Sequence, residues 1–325
     1  MLNLRQERHL AHQLHLTTSE LHNIAEAVET DCTEFFLIDP AKPDKKRTVL
    51  NISGRFKHTQ LTLLRRIFKR ALNPTIYSHG GVSGRHIKSN AEVHGDSIFG
   101  FTCDISNFYP SIRRERVYRC FVQNLGCSPD VASLLTRLCT YDHHLALGLP
   151  TSPILADQIL KPIDLRIAQM AEENRLSYSR FVDDITLSGS FDFNSAGFRE
   201  TVGSILRSAG FDTNRKKDRF GRINDSNFEI TAIKRVRGHM DVTQEYYSTL
   251  CSQLESLRQL GLGEEFDGPY YTRSQMLGKI EFVGWINRHR RAPLRRLLGR
   301  VSWKLVQREA MHRGLIVAKK QLIPK

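Results

Sequence analysis

The sequence lacks several features that would assign it to common classes of protein. Its 325 residues contain no run of about 18 consecutive apolar residues, so no membrane-spanning helix is predicted. The first residues are polar and contain no signal-peptide core, and no internal repeat or low-complexity tract occurs. The six cysteines form no Cys-x-x-Cys pair. We therefore expect neither a zinc site nor a disulfide framework, and we predict a reducing, cytoplasmic location.

Positive charge is concentrated at the C-terminal end of the chain. Residues 285–325 hold 12 Lys or Arg residues and one acidic residue, Glu309, which gives a net charge of +11, whereas the remainder of the chain carries +3. Apolar residues recur there at helical spacing, from Leu294 to Leu305, which favours a packed segment over a solvated tail. The predicted partner is a nucleic acid. The candidate contacts are Arg288, Arg290, Arg291, Arg296, Arg300, Lys304 and Arg308.

The last four of these basic residues, from Arg296 to Arg308, recur at every fourth position. On one continuous helix, predicted over 293–313, that spacing would form a single basic stripe. The alternative is an ordinary solvated helix face.

Acidic residues occupy two positions next to apolar runs. Asp183 and Asp184 interrupt an apolar segment in the manner of a hairpin turn, and Asp104 ends the run from Ser97, which is typical of a buried strand. Two carboxylates at a hairpin tip and a third on a neighbouring strand would suit two Mg²⁺ ions roughly 4 Å apart. Such a pair activates a primer hydroxyl and stabilises a leaving pyrophosphate. The alternative is an ordinary surface turn.

Periodicity predicts mixed structure followed by an all-helical end. Strands are expected at 45–52, 97–104 and 177–189, the last as a hairpin, and two more within 228–242 around Arg237-Gly238-His239. The predicted helices are 19–38 with Ser19 as N-cap, 61–72, 113–124, 129–140, 154–171, 195–209, 243–260, 273–288 and 293–313.

Four segments of the sequence match motifs of a known family in order. Asp104-Ile-Ser-Asn-Phe-Tyr-Pro-Ser-Ile resembles motif A of reverse transcriptases, and Gly148-Leu-Pro-Thr-Ser-Pro-Ile-Leu-Ala resembles motif B. Phe181-Val-Asp-Asp resembles motif C, with Phe for the usual Tyr, and Gly210-Phe-Asp-Thr-Asn-Arg-Lys-Lys resembles motif D. Asn90-Ala91-Glu92-Val93-His94 is similar to the Asn-Ala-x-x-His element of bacterial retron reverse transcriptases. The resemblance covers roughly residues 45–310. The sequence departs from the family at Ile230-Thr231-Ala232, where retrons carry Val-Thr-Gly, and at Leu147, where Gln is frequent.

The resemblance implies roles for individual residues. Asp104, Asp183 and Asp184 would be the catalytic metal ligands. Tyr109 would lie under the incoming sugar and exclude a 2′-hydroxyl, unless it is an ordinary packed tyrosine. Lys217, with Lys216 as its rival, would protonate the pyrophosphate, and the alternative is a lysine contacting backbone phosphate.

The nucleotide would also be contacted from the fingers and from motif B. The residues implied are Arg47, Gly148, Pro150 and Ser152, the motif B residues acting mostly through backbone. A solvated charge run that includes Lys45 and Lys46 is the alternative for Arg47. Asn90 and His94 would bind structured RNA or brace the fingers.

The expected fold is α+β, a right-hand polymerase with fingers, a palm built on an antiparallel sheet, and an all-helical thumb. The predicted divisions are residues 1–95, an N-terminal region with fingers; 96–242, the palm, with fingers helices at about 113–147; and 243–325, a basic thumb including Trp285. The resemblance implies an RNA-directed DNA polymerase that copies part of a cognate msr-msd type noncoding RNA into RNA-linked cDNA. It further implies dNTP substrates, a bacterial host, a separate effector protein and anti-phage defence. No membrane partner is expected.

Three alternatives remain open at this stage. The chain would be another bacterial reverse transcriptase, of defence or intron type; a non-catalytic RNA-binding scaffold with a polymerase-like palm; or an RNA polymerase.

Overall fold

The computed structural model describes residues 4–39, 42–194, 197–225, 228–236 and 238–315. The chain divides into two compact units. The first comprises Met1–Leu37 and Arg47–Ile223, and the second comprises Ile38–Lys46 and Asn224–Lys325. Within the described part of the chain, no helix combines the length and the apolar character needed to cross a membrane.

Eleven α-helices lie in the described part of the first unit. They are α1 (Glu7–Leu14), α2 (Thr18–Glu26), α3 (Val28–Asp31), α4 (Gly54–Thr62), α5 (Lys69–Ala71), α6 (Ile87–Glu92), α7 (Phe108–Ser111), α8 (Arg114–Arg119), α9 (Pro129–Cys139), α10 (Ser152–Glu173) and α11 (Phe198–Ser208). π-helical turns at Leu63–Phe68 and Cys120–Asn124 continue α4 and α8, and a 3₁₀ turn covers Arg215–Lys217. These helices bury a continuous apolar core that includes Phe56, Phe68 and Phe121.

A four-stranded antiparallel sheet lies at the centre of the first unit. Its strands are β3 (Phe99–Asp104), β4 (Ser177–Phe181), β5 (Asp184–Gly189) and β6 (Arg219–Arg222), in the order β4-β5-β3-β6. Most residues of β3 and β5 are buried, because these are the two inner strands of the sheet. Helix α10 contacts β4, so the sheet and this 22-residue helix form one packed layer pair.

A separate hairpin and a helical bundle complete the fold. Strands β1 (Cys32–Asp39) and β2 (Lys42–Ile52) form a two-stranded sheet. The second unit contains the short hairpin β7 (Lys234–Val236) and β8 (His239–Asp241), followed by α12 (Gln244–Gly261), α13 (Arg273–Ile286), α14 (Arg288–Gly299) and α15 (Trp303–His312). Helices α13 and α14 pack on each other, as do α12 and α15. Side-chain caps at Thr243, Thr272 and Asn287 satisfy the first amide groups of α12, α13 and α14.

Most predicted elements are confirmed, but helices α1 and α6 were not predicted, and several other elements differ. Residues 19–38 are not one helix: α2 begins after Thr17, which forms a capping box with Glu20, and the chain changes to strand β1 at Cys32. The predicted helix 293–313 is two helices, broken at 300–302. The fourth strand of the central sheet, β6, was not predicted. Arg237, in the predicted β7–β8 turn, lies outside the described residues.

Candidate active site

A two-residue turn joins β4 to β5 and carries the first acidic residue of the pair. Phe181 pairs with Asp184, which leaves Val182 and Asp183 at the tip. Val182 has a φ of 59°, a conformation that is costly for a β-branched residue, whereas the preferred residue at such a position is glycine. The backbone amide of Ile105 donates to the carbonyl oxygen of Asp183 at 3.0 Å, so the tip is tied to the end of β3.

The three acidic residues lie together at one edge of the sheet. Asp104, the last residue of β3, is the register partner of Asp184, the first residue of β5. Burial and the charge of Asp104 raise the pKa of Asp183. Burial and the charges of Asp183 and Asp104 raise the pKa of Asp184 to about 6. The carboxylates thus repel one another in a partly desolvated position, which favours uptake of a proton or a cation.

Lys217 is the counter-charge of Asp104 in this structure. Its Nζ lies 2.7 Å from Asp104 Oδ2, and the lysine side chain is 57% exposed while that of Asp104 is 11% exposed. The loop that leads to Lys217 is anchored to motif A, because Asn214 N donates to Asp104 O at 2.9 Å and Ser106 N to Asp212 O at 2.8 Å. Motif D is therefore held against the acidic cluster by backbone as well as by charge.

The donor set suits a divalent cation, although the side chains are not arranged as a finished site. Three carboxylates are the hard oxygen ligands that Mg²⁺ accepts, and the pKa values of two of them, Asp183 and Asp184, are raised. A dication would relieve the repulsion among them. Among the described residues, however, no group of three or more acidic, His or Cys side chains has metal-binding geometry. One oxygen of Asp104 faces Lys217 instead.

Tyr109 lies beside the acidic turn. Burial and the charge of Asp183 raise the pKa of the Tyr109 phenol to about 12, and its ring packs at 5.1 Å from that of Phe108. The side chain is partly buried on helix α7. The structure thus brings Tyr109 and Asp183 into one neighbourhood.

The motif B loop is docked on strand β2. Leu50 N donates to Leu147 O at 2.8 Å, and a side chain at Gly148 would overlap the Leu50 backbone. Gly148 also has a φ of 110°, so only glycine fits here without strain. The exposed Arg47 lies three residues before Leu50 on the same strand, together with the exposed Lys46; the side chain of Lys45 lies outside the described residues.

The rest of motif B is built into the fold. Pro150 is partly buried, and Ser152 is buried, its hydroxyl donating to Ala146 O at 2.7 Å. The Ser152 side chain is therefore committed to the loop, which leaves backbone groups as the means of contact. Leu147 is 38% exposed and presents an apolar side chain where the family often has Gln.

Asn90 and His94 are fully buried, which contradicts the predicted contact with RNA. His94 Nδ1 lies 2.6 Å from Ser188 Oγ and Nε2 lies 2.7 Å from Ser179 Oγ. Since these serines belong to β5 and β4, His94 links the two strands of the acidic hairpin. This position agrees with the alternative role, in which these residues brace the structure. The element that His94 braces is the acidic hairpin, not the fingers.

The basic residues of the second unit fall into two groups. Arg290 is paired with Asp241 at 2.8 Å and covers the Tyr247 ring, and Arg291 is paired with Glu281. These ion pairs join elements of the unit to one another. The second group, Arg288, Arg296, Arg300, Lys304 and Arg308, is exposed. Arg291 is also exposed, and Arg308 lies 3.6 Å from Glu309.

The predicted single basic stripe is wrong, because the helix that would carry it is interrupted. Arg296 lies on α14, Arg300 is its C-cap, and Lys304 and Arg308 lie on α15. Val301 is buried at the break.

Two features, one in each unit, were not anticipated from the sequence. Arg180, directly before motif C, is buried and bound to two aspartates of α10. A charged residue within an apolar strand pattern was the sequence signal that could have identified Arg180. The other is the Ile230–Ile233 turn, where Thr231 and Ala232 both have positive φ. The family's glycine would fit the second position without strain, so Ala232 places a cost where the sequence departs from its relatives.

The fold and the acidic cluster together define a class. The chain is a mixed helical protein with antiparallel sheets, in which a hairpin carries paired carboxylates beside a third on the adjoining strand. This architecture is compatible with a reverse transcriptase.

Curated proteins similar in sequence agree with that class. The chain is 32% identical over 183 residues to Retron Ec86 reverse transcriptase of Escherichia coli, covering 56% of this chain and 57% of that protein. It is 33% identical over 160 residues to Retron Se72 reverse transcriptase of Salmonella heidelberg, with 49% and 42% covered. For Retron Mx65 reverse transcriptase of Myxococcus xanthus the identity is 31% over 163 residues, with 45% and 38% covered.

The chain spans about half the length of the curated relatives that it matches. No protein-family model matches it. The resemblance to retron reverse transcriptases that the motifs predict is confirmed by these similarities.

Proposed function

We propose that this protein is an RNA-directed DNA polymerase of retron type. The observation that carries the proposal is the convergence of Asp104, Asp183 and Asp184 at paired strand ends, in a chain similar to retron reverse transcriptases. A buried cluster of like charges is costly for a fold and is expected where chemistry requires it.

The three carboxylates would hold two Mg²⁺ ions, with Asp183 as the stronger ligand of the pair. When bound, the ions supply activation of the primer hydroxyl and stabilisation of the leaving pyrophosphate. The raised pKa values of Asp183 and Asp184 support this role, because a site that repels its own charges gains by accepting cations.

The remaining residues would bind and orient the nucleotide. Tyr109, held beside Asp183, would exclude a 2′-hydroxyl and so select dNTPs. Lys217 would deliver its Nζ proton to the pyrophosphate, and its ion pair with Asp104 supports this role. Arg47 would contact the triphosphate, and the loop of Gly148, Pro150 and Ser152 would support the base through backbone groups.

The right-hand layout is part of the same proposal. Residues 96–242 would form the palm, residues 1–95 together with helices at about 113–147 the N-terminal region and fingers, and residues 243–325 the thumb. Duplex RNA is recognised mainly through phosphates and shape, which suits exposed arginines on helices. The exposed set Arg288, Arg296, Arg300, Lys304 and Arg308 supports RNA or primer binding by the thumb, whereas Arg290 and Arg291 are engaged in ion pairs.

The biological setting follows from the resemblance alone. The template would be part of a cognate msr-msd type noncoding RNA, primed from an internal 2′-hydroxyl to give RNA-linked cDNA. A separate effector protein, a role in anti-phage defence and a bacterial cytoplasmic location belong to this proposal as predictions.

Primer extension with purified protein tests the activity. Asp183→Asn combined with Asp184→Asn should abolish Mg²⁺-dependent cDNA synthesis, while Asp130→Asn, on the exposed first turn of α9, should retain it. Retained synthesis in the double variant would rule out this site. If the unaltered protein binds RNA but extends no primer, it is a scaffold instead.

Sequencing the nucleic acid that copurifies tests the type of enzyme. A short DNA covalently linked to RNA supports the retron assignment. DNA without that linkage would support another bacterial reverse transcriptase, of defence or intron type.

A further inference from the structure

Arg180 is the largest fully buried side chain of the described residues and lies at the end of β4. Its Nε and Nη2 donate to the two carboxylate oxygens of Asp164, each at 2.7 Å, and Nη2 also donates to Asp157 Oδ1 at 2.9 Å. Its Nη1 donates to the carbonyl oxygen of Val182 at 2.8 Å. One guanidinium thus joins helix α10 to the turn that carries Asp183.

The turn is enclosed from the other side by a glycine. A side chain at Gly80 would overlap Val182 at both its Cγ2 and its backbone nitrogen. The segment containing Gly80 runs alongside β4, since His79 N donates to Arg180 O and Arg180 N to Tyr77 O, both at 2.8 Å. Val182 is therefore in close contact with Gly80 and hydrogen-bonded to the Arg180 guanidinium, in a backbone conformation that it adopts at a cost.

The network is costly in a way that stability alone does not explain. Two carboxylates, Asp157 and Asp164, share one guanidinium, and Asp157 Oδ2 is buried with no hydrogen-bond partner among the described residues. Tyr178 supplies one further donor to Asp164, at 2.7 Å. Buried ion networks contribute little net stability relative to well-packed apolar side chains, and their best-supported use is to specify one arrangement of the elements they join.

Helix α10 is the element that follows motif B. It begins at Ser152, and Asp157 and Asp164 occupy its N-terminal half and middle. The position of the motif B loop and the position of the Asp183 turn are consequently related through Arg180. Because the guanidinium is planar and its donors are fixed in direction, it sets the distance and the orientation together.

Resting on the polymerase function proposed above, we propose that Arg180 is a positioning residue. It holds the Val182–Asp183 turn at a defined place relative to helix α10 and the nucleotide-binding loop that precedes it.

Arg180→Lys is the first test. Lysine keeps the charge but has no planar fork, so it cannot bind Asp157, Asp164 and the Val182 carbonyl at once. The single-turnover rate of nucleotide addition, measured per folded, RNA-bound molecule at saturating dNTP, should fall about 10²-fold, the cost of a misplacement near 1 Å. RNA affinity and the KM for dNTP should stay unchanged. Arg166→Lys, at an exposed arginine of helix α10, is the matched control.

A charge-free variant separates positioning from stability. Arg180→Met combined with Asp157→Asn and Asp164→Asn removes all three buried charges, so the melting temperature should recover relative to Arg180→Met alone. If Arg180 positions the turn, the rate per folded molecule stays low in the triple variant. A rate that returns with stability, or an unchanged rate in Arg180→Lys, overturns the proposal. An unaltered protein that extends no primer would instead be a failure of the proposed function.

Discussion

Asp104 and Asp184 face each other as register partners across the β3–β5 ladder, each at the end of its strand. Antiparallel pairing brings the last residue of one strand beside the first residue of the other, so two acidic residues distant in sequence become neighbours. The turn that precedes Asp184 then places Asp183 against the same strand end. Strand register is therefore the feature on which the candidate site depends.

The charge repulsion at this site should be visible in stability. The pKa of Asp184 rises from 3.8 to about 6 on folding, so between these values the folded protein binds more protons than the unfolded chain. The free energy of unfolding should therefore fall as the pH rises from about 4 to about 6, and the penalty persists above pH 6. In Mg²⁺-free buffer at pH 7.5, Asp184→Asn should stabilise the protein by about 1–2 kcal/mol, less than the full shift because the group is partly solvated.

Denaturant unfolding at several pH values measures this effect. Asp130→Asn should leave the pH dependence unchanged, because its side chain is exposed on α9. An identical slope between pH 4 and 6 in the Asp184 variant would show that this carboxyl is not the source. Added Mg²⁺ should stabilise the unaltered protein more than Asp184→Asn, since the dication relieves the same repulsion.

Lys217→Ala should affect chemistry far more than stability. The lysine is 57% exposed, so loss of its ion pair with Asp104 should change the free energy of unfolding by less than about 1 kcal/mol. If Lys217 protonates the pyrophosphate, the rate of nucleotide addition should fall by about 10² or more. Lys216→Ala, at the neighbouring exposed position, is the control and should retain the rate. If the rate falls only in Lys216→Ala, Lys216 and not Lys217 is the proton donor.

His94→Ala should destabilise the fold without changing RNA recognition. The imidazole contacts Ser179 and Ser188 in the core, so its removal leaves two buried hydroxyls short of a partner and should cost about 2 kcal/mol. The RNA affinity of the folded protein should equal that of the unaltered protein in a filter-binding assay. His58→Ala, at an exposed position on α4, controls for loss of a histidine. A specific loss of RNA binding in a stably folded His94 variant would restore the prediction made from the sequence.

Exposed and paired arginines of α14 should differ in RNA binding. Arg296 and its neighbour Arg295 are both exposed, but Arg295 is paired with Glu281 at 2.7 Å. If Arg296 contacts a phosphate, Arg296→Ala should weaken binding and reduce the slope of log K against log salt by about 1. Arg295→Ala should leave the slope nearly unchanged. Equal slopes for the two variants and the unaltered protein would remove Arg296 from the interface.

The sequence predicted the helices and strands well wherever periodicity was strong. Helix α9 was expected over 129–140 and is Pro129–Cys139, because its amphipathic pattern is regular and proline marks its first turn. Strand β1 was mistaken for helix because the segment after Glu26 holds Phe35, Phe36 and Leu37 in an apolar run that helix and strand share. The break at 300–302 was missed because apolar and basic spacing continues through it, while the packing of Val301 ends the helix.

Some functional residues were identifiable by motif, and others only by their surroundings. The motif sequences located Asp104, Asp183 and Asp184, because the resemblance depends only on these residue types and their order in the sequence. His94 was also found by motif, but its role, RNA contact or bracing, stayed open because a short polar element does not reveal whether it faces solvent or core. Arg180 carried no recognised pattern, and its partners on α10 lie 16 and 23 residues before it in the chain.

The amino-acid sequence by itself determined the order of the motifs, the apolar periodicity of most elements and the basic character of the C-terminal end, since each is a local or compositional property. Only the tertiary structure decided that Asp104 pairs with Asp184, that Lys217 neutralises Asp104, and that Arg180 joins the acidic turn to α10. These relationships depend on strand register and on burial, which arise when distant segments pack together and which no single segment encodes alone.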